Sequence, residues 1–177
     1  FDPNLNTASF NIYDVLASSN SLLAVRPSDF TMDDLIITEY IEGSSNNKAI
    51  EIYNGTGASI DLSYYFIEVY YNGNQSPGTT INLSGTLSNN EVFVIANSSA
   101  NATILAAADL TTGSYLPNGN DAIVLRNGST VIDSIGEVGD DTVFAEDVTL
   151  RRKLMLRDTN SQDEYSVEYY WETDDID

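Results

Sequence analysis

The stretch IITEYIEGSSNNKAIEIYNGTG occupies residues 36–57, and its apolar residues alternate with polar ones on either side of a polar loop. In the second half, Ile50 and Ile52 share one face while Glu51 and Tyr53 share the other, because successive side chains of a strand point in opposite directions. The intervening glycine, serines and asparagines favour a turn. The stretch therefore predicts two β-strands joined by a loop at residues 43–47.

The same period of two continues along the chain. The pair Asn127-Gly128 lies between two strand-like runs and predicts a hairpin turn with positive φ at both positions. Only residues 100–110, rich in alanine and leucine, favour a short helix. Many short strands at this spacing indicate an all-β sandwich or barrel. The strand-like runs are residues 35–42, 49–55, 66–73, 91–97, 122–128 and 130–136.

The first 31 residues differ from the remainder because they are polar and rich in turn-forming residues. We expect residues 1–31 to form an N-terminal leader or linker. Residues 32–177 are then one β-sandwich domain, in keeping with a chain of 177 residues. The chain starts at Phe1 without a methionine or an apolar signal segment, and we expect it to be a mature or trimmed form.

Composition and charge exclude several classes of function. The chain contains no histidine, which excludes Ser-His-Asp catalysis and imidazole-based metal sites, and no cysteine, which excludes disulfides and iron–sulfur clusters. The 27 acidic and 7 basic residues give a net charge of −20, which argues against direct binding to nucleic acids or anionic membranes. No run is long and apolar enough to span a membrane. This charge suits solubility in a salty or extracellular medium.

The strand ending in Glu39-Tyr40, the Gly-Ser-Asn loop and the strand AIEIYN resemble the opening of bacterial lamin tail domain modules. The resemblance extends over residues 34–173. It continues through IDLSYYFIEVYYNG, TINLSGTLSNNEVFVIANSSA, PNGNDAIVLRNGSTVIDSIGEVG and TLRRK, followed by Trp171. It implies an immunoglobulin-like β-sandwich that is not itself a catalyst. It also implies attachment to a secreted or surface protein, often beside a nuclease or phosphoesterase domain.

Carboxylates on the first two strands form the first candidate site. Glu39, Glu42 and Glu51 lie on neighbouring strands, and Asn47 lies in the loop between them. Oxygen ligands of this kind suit Ca²⁺ better than Zn²⁺. The alternative is that the loop residues satisfy backbone groups of the turn.

A second candidate is the turn that contains Asn118, Asn120 and Asp121, although it lacks the full spacing of a calcium loop. The alternative is that Asp121 orders the turn before the next strand. A third set, Asp140, Asp141, Glu146 and Asp147, is either a solvated acidic loop or a weak cation site.

Aromatic and basic residues suggest other modes of binding. Tyr70 and Tyr71 point in opposite directions in a strand, so one ring of the pair faces outward and, with Trp171, can stack on a sugar or a protein partner. The alternative is that such aromatic residues stabilise the sheet. The basic run at residues 151–153, with Arg157, either recognises an acidic partner or a polysaccharide, or pairs with the carboxylates of the chain itself.

Three functions remain open from the sequence. The first is a non-catalytic binding or docking module of a secreted or cell-surface bacterial protein, accessory to a larger protein. The second is a calcium-assisted carbohydrate-binding module that uses exposed tyrosine and tryptophan. The third is a structural subunit of a surface assembly. No nucleophile–base set is evident, because a serine nucleophile without histidine needs a lysine base, and neither lysine has suitable spacing.

Overall fold

The computed structural model describes residues 31–113, 116–153 and 155–175. The predicted leader at residues 1–31 lies outside these residues except for Thr31. In chain order the strands are β1 (Ile36–Glu42), β2 (Lys48–Tyr53), β3 (Ile60–Asp61), β4 (Tyr65–Tyr70), β5 (Thr79–Asn82), β6 (Thr86–Leu87), β7 (Val92–Asn97), β8 (Leu110–Thr112), β9 (Ala122–Asn127), β10 (Thr130–Ile135), β11 (Val148–Arg152) and β12 (Trp171–Asp175). The helices are a 3₁₀ turn (Leu62–Tyr64), α1 (Ala102–Ala107) and α2 (Val167–Tyr170). The short helix predicted within residues 100–110 is confirmed as α1.

The larger sheet has six strands in the order β12-β11-β1-β2-β7-β8. Five of these strands are antiparallel to their neighbours, and β8 lies parallel to β7. Ile50 and Ile52 are completely buried, as the alternation predicts. A register shift between Ile37 and Glu39 places one extra residue in β1 and changes the direction of the following side chains.

The smaller sheet has four strands in the order β10-β9-β4-β5. The predicted hairpin between β9 and β10 is confirmed, but its turn is shifted by one residue. Asn127 pairs with Thr130 as the last residue of β9, and Gly128 has a φ of 57° while Asn127 is not left-handed. The prediction of positive φ at both positions was wrong because the strand pairing extends to Asn127, which leaves Gly128 and Ser129 as the loop.

A hydrophobic core fills the space between the two sheets. Ile37, Ile50 and Ile95 face it from the larger sheet, and Ile67 and Leu125 face it from the smaller one, each completely buried. Burial of each such side chain contributes about 1.5–3 kcal/mol. Two packed sheets around one apolar layer form the predicted immunoglobulin-like β-sandwich, and the all-β assignment is confirmed.

A second apolar cluster lies on the outer face of the smaller sheet. Tyr70, Ala122, Val124 and Val138 are buried there, and Val131 packs against them. The loop at residues 136–141 follows β10, the loop at residues 157–163 follows β11 of the larger sheet, and the backbone N–H of Val138 donates to Ser161 O at 2.7 Å. This sheet is therefore apolar on both faces, and the outer cluster is the floor of the cleft described below.

Candidate functional site

The predicted carboxylate site on β1 and β2 is divided between two faces of the sheet. Glu39 and Glu51 are directly opposite each other across the two strands, whereas Glu42 lies three residues from Glu39 and therefore points to the other face. Glu42 is 5% exposed, pairs with Lys48 and accepts a hydrogen bond from the backbone N–H of Asp147 at 2.5 Å.

The other oxygens of this set are also engaged in internal contacts. Glu39 pairs with Arg151 at 2.9 Å, and Glu51 accepts a hydrogen bond from Thr38 Oγ1 at 2.7 Å. Asn47 Oδ1 accepts from the backbone N–H of Asn101, the N-cap of α1. Among the residues that the structure describes, no three acidic side chains are grouped so that they could hold a metal ion. Calcium binding here stays a prediction.

Asp121 orders a turn at the end of the sandwich. Its side chain is buried and accepts hydrogen bonds from the backbone N–H of Asn72 at 2.9 Å and of Asn118 at 3.0 Å. Asn72 has a φ of 51°, so the carboxylate stabilises a left-handed residue just after β4. Asn118 Oδ1 is buried without a hydrogen-bond partner among the described residues. Among the described residues, the turn thus offers one unpaired buried acceptor, whereas calcium typically takes 6–8 oxygen ligands.

The acidic loop before β11 stabilises its own turn. Asp140 Oδ1 accepts hydrogen bonds from the backbone N–H and the hydroxyl of Thr142, at 2.9 Å and 2.8 Å. These bonds lower the pKa of the exposed Asp140 carboxyl from its ordinary value. Asp147 has a φ of 54° and anchors the end of the loop through its N–H to Glu42.

The aromatic residues predicted to bind ligand are largely covered. Trp171 is 1% exposed, so its ring presents no surface on which a sugar could stack. Tyr70 is 6% exposed and donates its hydroxyl hydrogen to Glu68 Oε2 at 2.6 Å. Tyr71 is half-buried, with its hydroxyl on Thr79 Oγ1 at 2.7 Å. Trp171 is buried because its strand β12 joins the larger sheet beside β11 and directs the indole to the core.

Arg152 and Asp133 form a completely buried ion pair that links the two sheets. Arg152 lies on β11 of the larger sheet and Asp133 on β10 of the smaller one, with Nη2 and Oδ2 2.5 Å apart. The carboxylate also accepts from the backbone N–H of Ile37 and of Asp158, each at 2.8 Å. The guanidinium lies 4.1 Å from the centre of the Trp171 ring, within cation–π range.

Burial is the dominant influence on this carboxyl group. It raises the pKa of Asp133 to about 6, although the charge of Arg152 and the backbone hydrogen bonds each act to lower it. The prediction that the basic run pairs with internal carboxylates is confirmed for Arg152, and also for Arg151, which contacts Glu39 and Asp174.

A cleft of about 250 Å³ opens on the outer face of the smaller sheet, which we call the outer-face cleft. Its walls come from β4, β9 and β10, the loops that follow β4 and β10, and the loop at residues 157–163 that follows β11. The lining residues are Tyr70, Gln75, Arg126, Val131, Val138, Thr159, Asn160, Ser161 and Gln162.

Glu68 fixes the positions of the two largest polar side chains in the outer-face cleft. Its Oε2 atom accepts from Arg126 Nε at 2.5 Å and from the Tyr70 hydroxyl at 2.6 Å. Arg126 Nη2 lies 3.4 Å from the same hydroxyl. Burial, and then the hydrogen bond to Glu68, raise the pKa of Tyr70 above its ordinary value, so the phenol stays protonated and neutral. Sequence reasoning identified Tyr70 but missed Arg126, whose outward position on β9 is typical of many surface residues, and missed the loop amides, because polar turn residues carry no periodic signal.

Comparison with protein families gives a match to the family model described as Lamin Tail Domain, over residues 29–139. A comparison with curated proteins and a comparison with solved structures each gave no match. The matched segment contains β1 to β10, and hence the whole smaller sheet, while β11, β12 and the loop at residues 157–163 follow it. Within the described residues, no helix is long and apolar enough to cross a membrane. Because the match covers well over half of the 177 residues and the fold is the β-sandwich that the motifs predicted, this chain belongs to the lamin tail domain family.

Proposed function

We propose that this chain is a non-catalytic binding module of a secreted or cell-surface bacterial protein, in which it docks a larger protein to its partner. Its family consists of immunoglobulin-like domains with binding or structural roles. The observation that carries the proposal is the outer-face cleft, in which Glu68 fixes Tyr70 and Arg126 on the outer face of the smaller sheet. Preorganised polar groups over an apolar floor are typical of ligand sites.

The chemistry of the outer-face cleft supports binding without turnover. Its lining residues include hydroxyls, amides and one guanidinium, but no carboxylate and no lysine. Thr159 and Ser161 are hydroxyl groups that need an adjacent base to act as nucleophiles. The chain has no histidine to supply one. The cleft can therefore orient a ligand, and its lining supplies no carboxylate, lysine or histidine as a base for these hydroxyls.

The charge of the chain supports the extracellular setting that we propose. A net charge of −20 favours solubility in an ionic medium and opposes adhesion to nucleic acid. An accessory module of this kind can position a neighbouring domain, such as a nuclease or phosphoesterase, near its substrate. Cell fractionation with an antibody against the domain tests this setting. Recovery of the native protein in the medium or on the cell surface supports it, and confinement to the cytosol contradicts it.

An activity screen of the purified full chain tests the absence of catalysis. Nuclease, phosphatase and glycosidase substrates should show no turnover above buffer. The matched control is an Arg126→Met variant, which removes the guanidinium from the outer-face cleft. Turnover that persists through repeated purification and is abolished in this variant would refute the proposal.

A further inference from the structure

We propose that the outer-face cleft binds one uncharged sugar ring of a polysaccharide, and that it does so without calcium. This inference rests on the proposed binding function and adds the class of ligand. Its basis is the combination of exposed amide side chains, a cation already paired with a carboxylate and a small apolar floor in one cleft.

Three amide side chains surround the outer-face cleft. Gln75, Asn160 and Gln162 are exposed, and their side-chain amides make no hydrogen bond to the residues described in the structure. Each amide offers both a donor and an acceptor. A sugar hydroxyl also donates and accepts, so neighbouring hydroxyls on a ring can satisfy both halves of an amide. The lining is therefore complementary to a ligand that carries several hydroxyl groups.

The charges near the outer-face cleft favour an uncharged ligand. The single cationic lining residue, Arg126, is already paired with Glu68. An anionic ligand would have to compete with that carboxylate and approach a protein with a net charge of −20. A cationic ligand finds no carboxylate among the lining residues. A ligand whose polar groups are uncharged hydroxyls neither competes with Glu68 for Arg126 nor needs a carboxylate in the lining.

The floor of the outer-face cleft supplies a small apolar surface, because most of its apolar cluster is buried. Val138 is 9% exposed and belongs to the outer cluster with Tyr70, and the half-buried Val131 packs against them. One face of a pyranose ring presents C–H groups that can lie on such a surface while its hydroxyls reach the amides at the rim. The volume of about 250 Å³ is just below the range of drug-sized pockets and suits a single ring.

The topology disfavours a peptide strand as the occupant. The central floor strands, β4 and β9, are inner strands of the smaller sheet, and each is hydrogen-bonded on both sides. A peptide that binds by strand addition needs an open sheet edge. The outer-face cleft instead presents a sheet face covered by side chains, which suits a compact ring.

This mode of binding differs from recognition by calcium and tryptophan. Trp171 is buried against Arg152, and the carboxylates of β1 and β2 lie on the larger sheet rather than beside the outer-face cleft. The ligand contacts therefore come from the exposed amides and the half-buried Arg126, without a metal ion. EDTA should leave the affinity unchanged.

The test is a nuclear magnetic resonance titration of the ¹⁵N-labelled full chain with glucose, galactose, mannose and N-acetylglucosamine, each with and without EDTA. At least one sugar should shift the side-chain amide signals of Gln75, Asn160 and Gln162. The Asn160→Ala/Gln162→Ala variant should lose about tenfold or more in affinity, the loss expected for two hydrogen bonds. The matched control is Asn82→Ala, an exposed asparagine on β5 outside the cleft lining, which should bind as the wild type does.

Several outcomes overturn the inference. They are no amide shift with any of the sugars, a double variant that binds as tightly as the wild type, and loss of binding in EDTA. A further titration uses an uncharged peptide of about five residues rich in asparagine and glutamine, because the small cleft admits only a compact ligand. Amide shifts with this peptide and none with the sugars would assign the cleft to protein partners. That result would overturn the inference of sugar binding but leave the proposed binding function intact. Conversion of a sugar probe during the titration would refute the proposed function as well.

Discussion

The buried pair between Arg152 and Asp133 gives the sharpest test of what stabilises this domain. An Asp133→Ala change removes the acceptor of three hydrogen bonds, from Arg152 and from the backbone N–H groups of Ile37 and Asp158. Each buried N–H left without a partner costs about 1–3 kcal/mol. The two backbone groups together therefore cost about 2–6 kcal/mol. Among the described residues, the buried guanidinium keeps the carbonyls of Ile37 and Leu156 as hydrogen-bond acceptors and its contact with the Trp171 ring, but has no carboxylate partner.

The expected loss is about 4 kcal/mol, the centre of the range for breaking a buried ion pair by removing one partner. This loss is a large fraction of the total stability of a domain, which is about 5–15 kcal/mol. With a urea dependence of about 2 kcal/mol per molar, the midpoint should fall by about 2 M. The pair itself need not be a net gain over apolar residues, because burying two charges carries a desolvation cost.

Equilibrium unfolding in urea, followed by tryptophan fluorescence, measures this loss. Trp171 is the single tryptophan of the chain and lies against Arg152, so its emission reports directly on the region. The matched control is Arg151→Ala on the same strand. Its side chain is 58% exposed and its ion pairs lie at the surface, so a change of about 0–1 kcal/mol is expected. If Asp133→Ala does not fold, Asp133→Asn retains one acceptor oxygen and should give a smaller, measurable loss. Equal midpoints for the Asp133 variants and Arg151→Ala would refute the reasoning.

Three further predictions concern pH, calcium and one glycine. Because burial raises the pKa of Asp133 to about 6, above its ordinary 3.8, the folded state binds this proton more tightly than the unfolded state does. The stability of the wild type should therefore fall as the pH rises from about 4 to 6, and its advantage over Asp133→Asn should shrink over the same range. Urea midpoints across that range check this, and a constant gap contradicts it. Calorimetric titration with Ca²⁺ should give no heat and no rise in Tm, since the described carboxylates do not converge. Heat of binding that Asp121→Asn abolishes would contradict this and would support a calcium site at the Asp121 turn. Gly119→Ala should lower Tm by several degrees, because an added Cβ would lie 2.1 Å from the Glu146 backbone nitrogen, whereas Gly113→Ala meets nothing closer than 3.9 Å and should leave Tm almost unchanged. Equal Tm values for the two glycine variants would contradict the packing argument.

Local alternation was sufficient to predict six of the twelve described strands and the all-β class, while the choice of an immunoglobulin-like sandwich came from the family resemblance. Ile50 and Ile52 point inward and Glu51 points outward, as the pattern predicts, because the period of two is a property of each strand alone. The hairpin after β9 was displaced by one residue because strand pairing, which involves both strands, sets where the turn begins. Register shifts are equally hidden from a pattern within one strand.

The candidate site was harder to predict because it is assembled from distant segments. Val124 alternates outward from the core, yet it is completely buried, since loops from later in the chain pack with it on the outer face. Arg152 reads as a surface residue within a basic run, and its burial depends on Asp133 from the other sheet. Neither partner is close in sequence, and neither contact leaves a periodic signal. Exposed loop amides such as Asn160 resemble any polar turn until the fold places them around a cleft.

The buried ion pair and the outer-face cleft are connected through the same chain segment. The Asp133 carboxylate accepts a hydrogen bond from the backbone N–H of Asp158, and Ser134 Oγ donates to Asp158 O at 3.1 Å. Asp158 Oδ1 in turn accepts a hydrogen bond from the backbone N–H of Asn160, which lines the cleft. A wall made of turn residues has little order of its own, so its position depends on this buried support. Changes at Asp133 therefore disturb stability and the cleft together, whereas changes to the exposed amides at Asn160 and Gln162 alter the cleft alone. Only the latter variants can separate ligand recognition from folding.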